Sequence, residues 1–371
     1  LPQPLKPARL IRLGSTDKRD MVVYRSPVDS SQFHADTRAY FEGRNVCVTG
    51  GSGFIGSHVV EQLLALGAHP IVPTRQTAPL FLAHLRRESD IRCCDLADRR
   101  QALDALDGAS VVLNLAASVG GIQYNAAHPA TVFQANMRTF LNVVDAAERT
   151  GIERLLVVSS ACIYPRHCTV PTPETEGFSD WPEPTNAGYG WAKRMEEFAA
   201  QCYAEEHGLE VAIARPYNAY GPRDNFNPES SHVLPALILK AFESQDGTLP
   251  VWGDGQQSRS FLYVDDFARG LLEVTARSAE ADPINIGEHN EVTIAETANM
   301  IAQIVGARRG IAIKPTFQPT DLTGQPRRNC DTTKLKEKLG FETQVSLQQG
   351  LEASINWFEA NRELAMSAHH Q

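Results

Sequence analysis

The stretch that decides the fold is TGGSGFIG at residues 49–56. It follows a short apolar strand predicted at Asn45–Thr49, and the residues after it have the apolar spacing of a helix. Its glycines Gly50, Gly53 and Gly56 lack a Cβ, so backbone N–H groups can approach a pyrophosphate at the helix N-terminus. Because the turn joins a strand to a helix, it predicts a dinucleotide site rather than a glycine-rich loop without a ligand.

Strands and helices alternate from this turn to Pro216. Apolar strands are predicted at His69–Thr74, Ile91–Asp95, Val111–Ala116, Arg154–Ser160 and Glu210–Pro216, and helices at Ser57–Leu66, Arg99–Leu106, Ala127–Arg149 and Ala187–His207. Such alternation implies right-handed crossovers. The sequence therefore predicts an α/β fold with a Rossmann-type, doubly wound parallel sheet.

The 371 residues suggest two domains, or one large domain with an attached lobe. We expect an N-terminal extension at residues 1–43, where prolines and polar residues interrupt any pattern. A dinucleotide-binding domain is expected at residues 44–216. Residues 217–371 are expected to form mainly a smaller, C-terminal substrate-binding lobe with some segments returning to the Rossmann domain, and helices are predicted there at Val233–Phe242 and Thr293–Val305.

The charge, hydropathy and cysteine content of the chain limit the kinds of molecule that it is expected to bind. Lys and Arg total 35, Asp and Glu total 44, and the formal net charge is −9. This balance argues against nucleic-acid binding, and it means that an anionic substrate needs a local basic pocket. No apolar run approaches the ~20 residues that span a bilayer, and no secretory signal is visible, so no membrane partner is expected. The seven cysteines lack paired spacing, so we expect no disulfides, no metal site and a cytoplasmic setting.

The end of the second strand bears on the type of nicotinamide cofactor. An acidic residue there would bind the ribose 2′-hydroxyl of NAD(H), but this chain has Pro73-Thr74-Arg75. Arg75 can pair with a 2′-phosphate, which favours NADP(H), although a solvated surface charge is the alternative. Asp95 is either a contact to the adenine edge or a turn former. The residues predicted to bind the cofactor are Gly50, Gly53, Phe54, Ile55, Arg75, Asp95, Leu96, Ala116, Lys193 and Pro216.

Tyr189 and Lys193 are four residues apart, which puts them on one face of the predicted helix. A phenol with a pKa of about 10 is a poor acid–base group near neutrality, but a neighbouring ammonium lowers that pKa. Ser160 ends the preceding strand, where its hydroxyl can hydrogen-bond the same oxygen. The alternative is a core tyrosine beside a lysine whose amine reaches solvent.

Five further segments carry a resemblance to a known family. They are Ala116–Ile122, Ser159–Pro165, Gly221–Asn227, Ser231–Ala236 and Arg259–Asp266. With the glycine turn and Tyr189–Lys193, they resemble the extended short-chain dehydrogenases/reductases that act on nucleotide sugars, over roughly residues 45–357. The GDP-L-fucose synthases are the most similar group and the GDP-mannose 3,5-epimerases the next.

The resemblance implies roles for five catalytic residues. Ser160, Tyr189 and Lys193 would form the catalytic triad, while Cys162 and His232 would flank the hexose as acid and base. A keto group acidifies both neighbouring C–H bonds, and groups with pKa values of about 8.5 and 6.5 suit proton transfer there. The alternatives are a small buried hydrophobe for Cys162 and a loop or capping residue for His232.

The substrate carries two phosphate charges that this acidic chain must neutralise locally. Arg259 resembles the family's diphosphate-binding arginine, and guanine as the base follows from the resemblance alone. The residues predicted to bind substrate are Asn218, Val233, Lys240, Trp252, Arg259 and Arg327, of which the charged ones could also be solvated surface charges. The resemblance also implies a homodimer through the helices Ala127–Arg149 and Ala187–His207.

These observations predict an NADP(H)-dependent epimerase/reductase acting on a 4-keto hexose of a nucleotide sugar. A pure 3,5-epimerase that recycles bound NAD(P) remains open, as does a simple 4-epimerase in which Cys162 and His232 are incidental. A non-catalytic dinucleotide-binding regulator is a further alternative, but such proteins commonly lose the tyrosine or lysine that this chain retains. In the dehydratase relatives that the resemblance brings in, an acidic residue lies in the Ala161–Cys162 region, so its absence here argues against a 4,6-dehydratase.

Overall fold

Strands and helices alternate along the chain. The computed structural model describes residues 9–12, 22–25, 28–319 and 325–367. The strands are β1 (Arg9–Arg12), β2 (Val22–Arg25), β3 (Asn45–Thr49), β4 (His69–Thr74), β5 (Asp90–Cys93), β6 (Val111–Asn114), β7 (Arg154–Val158), β8 (Glu210–Pro216), β9 (Ala219–Tyr220), β10 (Thr248–Trp252), β11 (Ser258–Arg259), β12 (Leu262–Tyr263), β13 (Ile284–Ile286), β14 (Val292–Thr293), β15 (Lys314–Gln318) and β16 (Arg327–Arg328). The helices are α1 (Ala35–Phe41), α2 (Phe54–Ala65), α3 (Arg99–Leu106), α4 (Ile122–Ala127), α5 (Pro129–Arg149), α6 (Ala187–His207), α7 (Val233–Glu243), α8 (Val264–Arg277), α9 (Ile294–Arg309), α10 (Thr333–Leu339), α11 (Leu347–Ala360) and α12 (Arg362–Ser367). Within the described ranges, every helix is too short or too polar to span a bilayer.

A seven-stranded parallel sheet forms the centre of the fold. Its strand order is β5-β4-β3-β6-β7-β8-β13, which winds outward in both directions from β3, the strand before the glycine turn. Helices α1, α2 and α8 contribute to the apolar core on one face, and α3, α5 and α6 to the core on the other. The predicted fold class, a Rossmann-type α/β fold, is confirmed.

Several predicted strand ends extend two residues too far. The strands β5, β6 and β7 end at Cys93, Asn114 and Val158, whereas the prediction continued them to Asp95, Ala116 and Ser160. The first extra residue of each strand keeps one backbone hydrogen bond to a neighbouring strand, such as that from Cys94 N–H to the Thr74 carbonyl oxygen, and the regular ladder ends there. Apolar patterning does not register this change, because the extra residues other than the exposed Asp95 are still at least partly buried.

The last part of the predicted N-terminal extension belongs to the folded core. Phe33 and Phe41 are buried, and Phe41 lies on α1. The hydroxyl of Thr37 donates a hydrogen bond of 2.6 Å to Glu273 on α8. Most of residues 1–27 of that extension lie outside the described residues, and β1 and β2 within it form an antiparallel pair.

The chain after β8 builds a second apolar core. Helices α7, α9 and α11 contribute to it, and Phe226 stacks on Phe358 with ring centroids 4.6 Å apart. A small sheet joins β11 to β14 and β16. By contrast, β13, α8 and α10 return to the large sheet or its apolar core, so the two parts share an extensive boundary.

A buried ion pair joins α2 to the loop after β9. Arg223 Nη2 lies 2.6 Å from Glu61 Oε1, and Arg223 Nη1 donates to Ser57 Oγ at 3.0 Å. His84 Nε2 lies 2.8 Å from the same carboxylate oxygen. Arg223 has a φ of 71°, a left-handed conformation that non-glycine residues rarely adopt. Burial alone would raise the pKa of Glu61, but Arg223 and His84 outweigh it and hold that pKa at about 2.

The substitution Glu61→Gln should change both the stability and its response to acid. Removing one partner of a buried ion pair is expected to lower the free energy of unfolding at pH 7 by about 3 kcal/mol. Because the pKa of Glu61 is about 2 against an ordinary 4.5, its contribution is present above pH 4.5 and is lost as the pH falls toward 2. Between pH 5 and pH 3.5, urea unfolding should therefore show about 1 kcal/mol less loss in the variant than in the wild type.

The matched control is Glu153→Gln, which removes an exposed ion pair with Arg44. An exposed pair contributes ~0–1 kcal/mol, so this variant should follow the wild type. Equal acid dependence in the Glu61 variant and the wild type would contradict the assignment.

Candidate active site

A large cleft runs along the carboxyl edge of the central sheet and continues between the sheet and the second core. Its volume is about 1330 Å³. Pockets for one drug-sized ligand have volumes of ~300–1,000 Å³, so this cleft has room for two. Of the residues predicted from the sequence, it is lined by Gly50, Gly53, Phe54, Ile55, Arg75, Asp95, Leu96, Ala116, Ser160, Cys162, Tyr189, Lys193, Pro216, Asn218, His232, Val233, Lys240, Trp252 and Arg259.

The glycine turn forms one wall of the cleft. Gly50 has a φ of 68°, and a Cβ at Gly56 would lie 2.2 Å from the Gly50 carbonyl oxygen. Only glycine therefore allows the turn and the first turn of α2 to pack together. Gly53 caps α2 without a side chain between the helix N-terminus and the cleft. This cradle fits the pyrophosphate of a dinucleotide.

The end of β4 borders the same wall. Arg75 is exposed, and among the described residues its guanidinium is paired with no carboxylate. Asp95 accepts a 3.0 Å hydrogen bond from the backbone N–H of Ala97, so it forms a turn as well as lining the cleft. The Ser52 and Thr74 hydroxyl oxygens are 2.9 Å apart, which links the glycine turn to the strand end before Arg75.

Tyr189 lies in the first turn of α6 and Ser160 follows β7. Lys193 is one turn further along α6, with its Nζ 5.7 Å from the centre of the Tyr189 ring. That ammonium also donates hydrogen bonds to the Val158 carbonyl oxygen at 2.9 Å and to Glu196 Oε2 at 2.8 Å. Both residues of the ion pair are buried.

The net pKa shift of Tyr189 is opposite to the one predicted. Burial raises the pKa of Tyr189 to about 12, while the Lys193 ammonium and a hydrogen bond with Ser160 lower it by less. The sequence argument considered the ammonium alone. It missed Glu196, three residues after Lys193, whose carboxylate opposes part of the ammonium's effect.

Cys162 and His232 line the cleft from opposite parts of the chain. Cys162 lies in a short turn after β7, where its backbone N–H donates to Ser160 Oγ at 3.1 Å. Its Sγ accepts a hydrogen bond of 3.3 Å from Arg328 Nη2. His232 caps α7 and is exposed to the cleft. Enclosure by the cleft walls and the Arg328 guanidinium lower the pKa of His232.

Two guanidinium groups meet on the side of the cleft formed by the second core. Strands β11 and β16 are paired so that Arg259 is opposite Arg328. Burial, together with repulsion from Arg328, lowers the pKa of Arg259 to about 10. Two cations held this close favour an anion between or beside them. Further along, Lys240 Nζ lies 4.7 Å from the centre of the exposed Trp252 ring.

Arg327, predicted to bind substrate, does not line the cleft. Its guanidinium lies 2.6 Å from Glu291 Oε2 on the outer side of the small sheet. The neighbouring Arg328 lines the cleft in its place, and the sequence argument missed it. The two adjacent arginines indicated that only one of them could face the cleft, because neighbouring residues of a strand point to opposite faces of the sheet. Choosing between the two required the pairing partner of β16.

A comparison with known protein families identifies the family of this chain. The NAD dependent epimerase/dehydratase family matches residues 46–287. The chain belongs to this family. Its nicotinamide dinucleotide would be held by the glycine turn and the strand ends described above, a cradle that the contacts of Gly50 and Gly56 fit.

Relatives of known name cover nearly the whole chain. A probable GDP-L-fucose synthase of Oryza sativa subsp. japonica is 36% identical over 334 residues, which is 88% of this chain and 96% of the relative. The GDP-L-fucose synthase of Escherichia coli is 32% identical, with coverage of 86% and 98%. A dTDP-4-dehydro-6-deoxy-D-allose reductase of Streptomyces bikiniensis is 32% identical, with coverage of 85% and 96%.

Solved structures give the same result at the level of the fold. A UDP-glucose 4-epimerase of Thermotoga maritima, solved with UDP-glucose, has a TM-score of 0.75 and 28% identity, covering 85% of this chain and 98% of its own. A dTDP-glucose 4,6-dehydratase of Streptomyces venezuelae, solved with NAD, has a TM-score of 0.73 and 26% identity, with coverage of 86% and 98%. The predicted class, an NAD(P)-dependent nucleotide-sugar epimerase/reductase of the extended short-chain type, is confirmed.

Proposed function

We propose that this family member is an NADP(H)-dependent epimerase/reductase acting on a GDP-linked 4-keto hexose. The observation that carries the proposal is a thiol and an imidazole, Cys162 and His232, lining the same cleft as Tyr189 and Lys193. Reduction alone needs only the tyrosine and lysine. A second acid–base pair is expected where protons must also move at carbon. The names of the similar fucose synthases support the GDP-linked sugar.

In this proposal, Cys162 and His232 exchange protons at the carbons next to the keto group. One group removes a proton from carbon, and the other delivers a proton to the opposite face of the resulting enolate. Tyr189, which Ser160 and Lys193 hold in position, then protonates the sugar oxygen. A bound nicotinamide supplies the hydride for the reduction. The ammonium of Lys193 stabilises the phenolate that remains after Tyr189 gives up its proton.

Substrate binding is assigned to the side of the cleft formed by the second core. Arg259 is proposed to bind the diphosphate, with Lys240 and Trp252 further along the same wall. Asn218 and Val233 also line the cleft, and the amide of Asn218 is oriented by the 2.8 Å hydrogen bond that it donates to the Ser260 carbonyl oxygen. These residues give an acidic protein a local basic surface for its anionic substrate.

The functional test combines a GDP-4-keto-6-deoxyhexose with NADPH in deuterated buffer. We expect one NADPH to be oxidised per sugar, measured as loss of nicotinamide absorbance. We also expect deuterium on the carbons next to the former keto group, detected by mass spectrometry and NMR. The substitution Tyr189→Phe should slow reduction by about 10²–10⁴-fold, because it removes the proton donor to the sugar oxygen. It should leave deuterium exchange in place.

Tyr203→Phe, on the same helix but outside the cleft, is the matched control and should react like the wild type. Deuterium exchange without net NADPH oxidation would replace the proposal with a pure epimerase that recycles its cofactor. Neither signal with any nucleotide sugar would favour a dinucleotide-binding regulator.

For the cofactor, we propose that Arg75 selects NADP(H) over NAD(H) by pairing with the 2′-phosphate. The substitution Arg75→Gln should raise the dissociation constant for NADPH at least tenfold and leave that for NADH nearly unchanged, because only NADPH carries the phosphate. Titration of nicotinamide fluorescence measures both constants. Arg87→Gln, which removes an exposed charge outside the cleft, should alter neither. Equal weakening of NADPH and NADH by the Arg75 substitution would contradict the proposal.

We further propose a homodimer formed through α5 and α6. Phe133 and Leu141 on α5 and Phe198 on α6 are 38%, 46% and 57% exposed, which is unusual for large apolar side chains. Burying such side chains against a second copy would be favourable. Sedimentation should give twice the mass of the chain, and Phe198→Glu should give the monomer. Phe317→Glu, a similarly exposed phenylalanine on β15, should leave the dimer intact. A monomeric wild type would contradict the proposal.

A further inference from the structure

Glu183 carries a buried carboxylate oxygen to which the proposed function assigns no role. The residue lines the cleft, is 5% exposed and lies just before α6. Its Oε1 accepts long hydrogen bonds of 3.2 Å from Arg166 Nη1 and 3.4 Å from Thr185 Oγ1. Its Oε2 is buried and, among the residues that the structure describes, has no hydrogen-bond partner. An unpaired buried carboxylate oxygen costs free energy, so a donor that reaches it binds favourably.

The packing around Gly190 places this carboxylate near the groups proposed to act on the sugar. A Cβ built on Gly190 of α6 would lie 2.5 Å from the Cys162 carbonyl oxygen and 2.7 Å from Pro182 Cβ. The chain therefore packs against both α6 and the turn that carries Cys162 immediately before it reaches Glu183. Tyr189, the proposed proton donor to the sugar oxygen, is the residue that precedes Gly190 on the same helix.

Glu183 is also close to the proposed diphosphate site. Burial, together with repulsion from Arg328, lowers the pKa of Arg259 to about 10, and the carboxylates of Glu291 and Glu183 act against this change. Charge–charge effects weaken with distance, so Glu183 lies in the neighbourhood of the Arg259 guanidinium. One carboxylate thus adjoins both the place assigned to the diphosphate and the groups assigned to the keto carbon.

A bound nucleotide hexose has to extend between these two places. Its carbon 1 carries the diphosphate, and its carbon 4 carries the keto oxygen that Tyr189 protonates in the proposed function. Carbons 2 and 3 lie between them on one edge of the ring, and each carries a hydroxyl group. The other edge consists of the ring oxygen and carbon 5, neither of which bears a hydroxyl group directly. A hydroxyl group donates one hydrogen bond, and an ionised carboxylate is solely an acceptor, so the two are complementary.

We propose that Glu183 is a specificity-determining residue whose carboxylate accepts a hydrogen bond from the hydroxyl group on carbon 2 or carbon 3 of the hexose. This inference rests on the proposed function, which supplies the orientation of the sugar. The carboxylate is free to turn toward the hydroxyl group, because the terminal torsion of a glutamate takes a broad range of angles and the present hydrogen bonds of Glu183 are long.

Calorimetric titration in the presence of NADPH tests this contact without turnover. The ligands are GDP, GDP-mannose and the 2-deoxy and 3-deoxy analogues of GDP-mannose, none of which has a keto group to be reduced. We expect the wild type to bind GDP-mannose at least tenfold more tightly than one of the deoxy analogues, because that analogue lacks a hydrogen bond to a charged group. Glu183→Met, which removes the carboxylate at similar side-chain length, should bind all three GDP-sugars equally. Its affinity for GDP should be unchanged or higher, because a negative charge near Arg259 is removed.

Two further variants distinguish the hydrogen bond from a general effect on the fold. Glu183→Gln keeps an uncharged acceptor, and because neutral hydrogen bonds are about half as strong, it should keep about a threefold preference. This variant decides the question if circular dichroism shows that Glu183→Met does not fold. Glu176→Met, in the same segment but outside the cleft, is the matched control and should bind every ligand like the wild type.

The results separate this inference from the proposed function. A wild type that binds both deoxy analogues as tightly as GDP-mannose would overturn the inference, and so would a Glu183→Met protein that keeps the full wild-type preference. A protein that shows the expected preferences but turns over no GDP-4-keto sugar would contradict the proposed function and leave the hydroxyl contact in place. A wild type that binds neither GDP nor GDP-mannose would contradict both.

Discussion

The buried ion pair between Glu61 and Arg223 connects the two halves of the site. Glu61 lies on α2, the helix whose N-terminus faces the cofactor cradle, and Arg223 lies in the loop that leads to His232. Because both side chains are buried, separating them would expose two unpaired charges to the protein interior. The loop therefore cannot shift far without moving α2. His58 of the same helix adds a 3.1 Å contact to the Pro222 carbonyl oxygen. The position of the proposed proton-transfer group is thus tied to the cofactor helix.

The cleft concentrates positive charge in a protein of formal charge −9. Arg259 and Arg328 lie on paired strands and repel each other, and the lowered pKa of Arg259 reflects that repulsion together with burial. An anion bound near both guanidinium groups reduces the repulsion between them, and this reduction adds to the free energy of anion binding. The two guanidinium groups also differ in the atoms that they contact. Arg328 is engaged by a sulfur, whereas Arg259 is held by neutral oxygens.

The parts of this molecule that could be predicted from sequence are those set by local pattern. The glycine turn, the strand before it and the Tyr189–Lys193 pair follow from contiguous residues, and the parallel, doubly wound sheet follows from the alternation of strands and helices. The burial of α1 was not predictable in this way, because only Thr37 and Phe41 of this short helix are buried, which is too few to give an apolar pattern. Nor was the net pKa of Tyr189, which depends on how much protein surrounds the phenol. Arg328 required a strand pairing between segments about seventy residues apart, which no local pattern encodes.

The double arginine of β16 makes the cleft sensitive to the register of one short strand. Adjacent strand residues point to opposite faces, so a slip of β16 by one residue against β11 would turn Arg328 away from the cleft. Arg328 would then leave the Cys162 sulfur, and Arg327 would leave its salt bridge with Glu291. Two backbone pairings therefore decide which of two identical neighbouring side chains carries positive charge into the cleft.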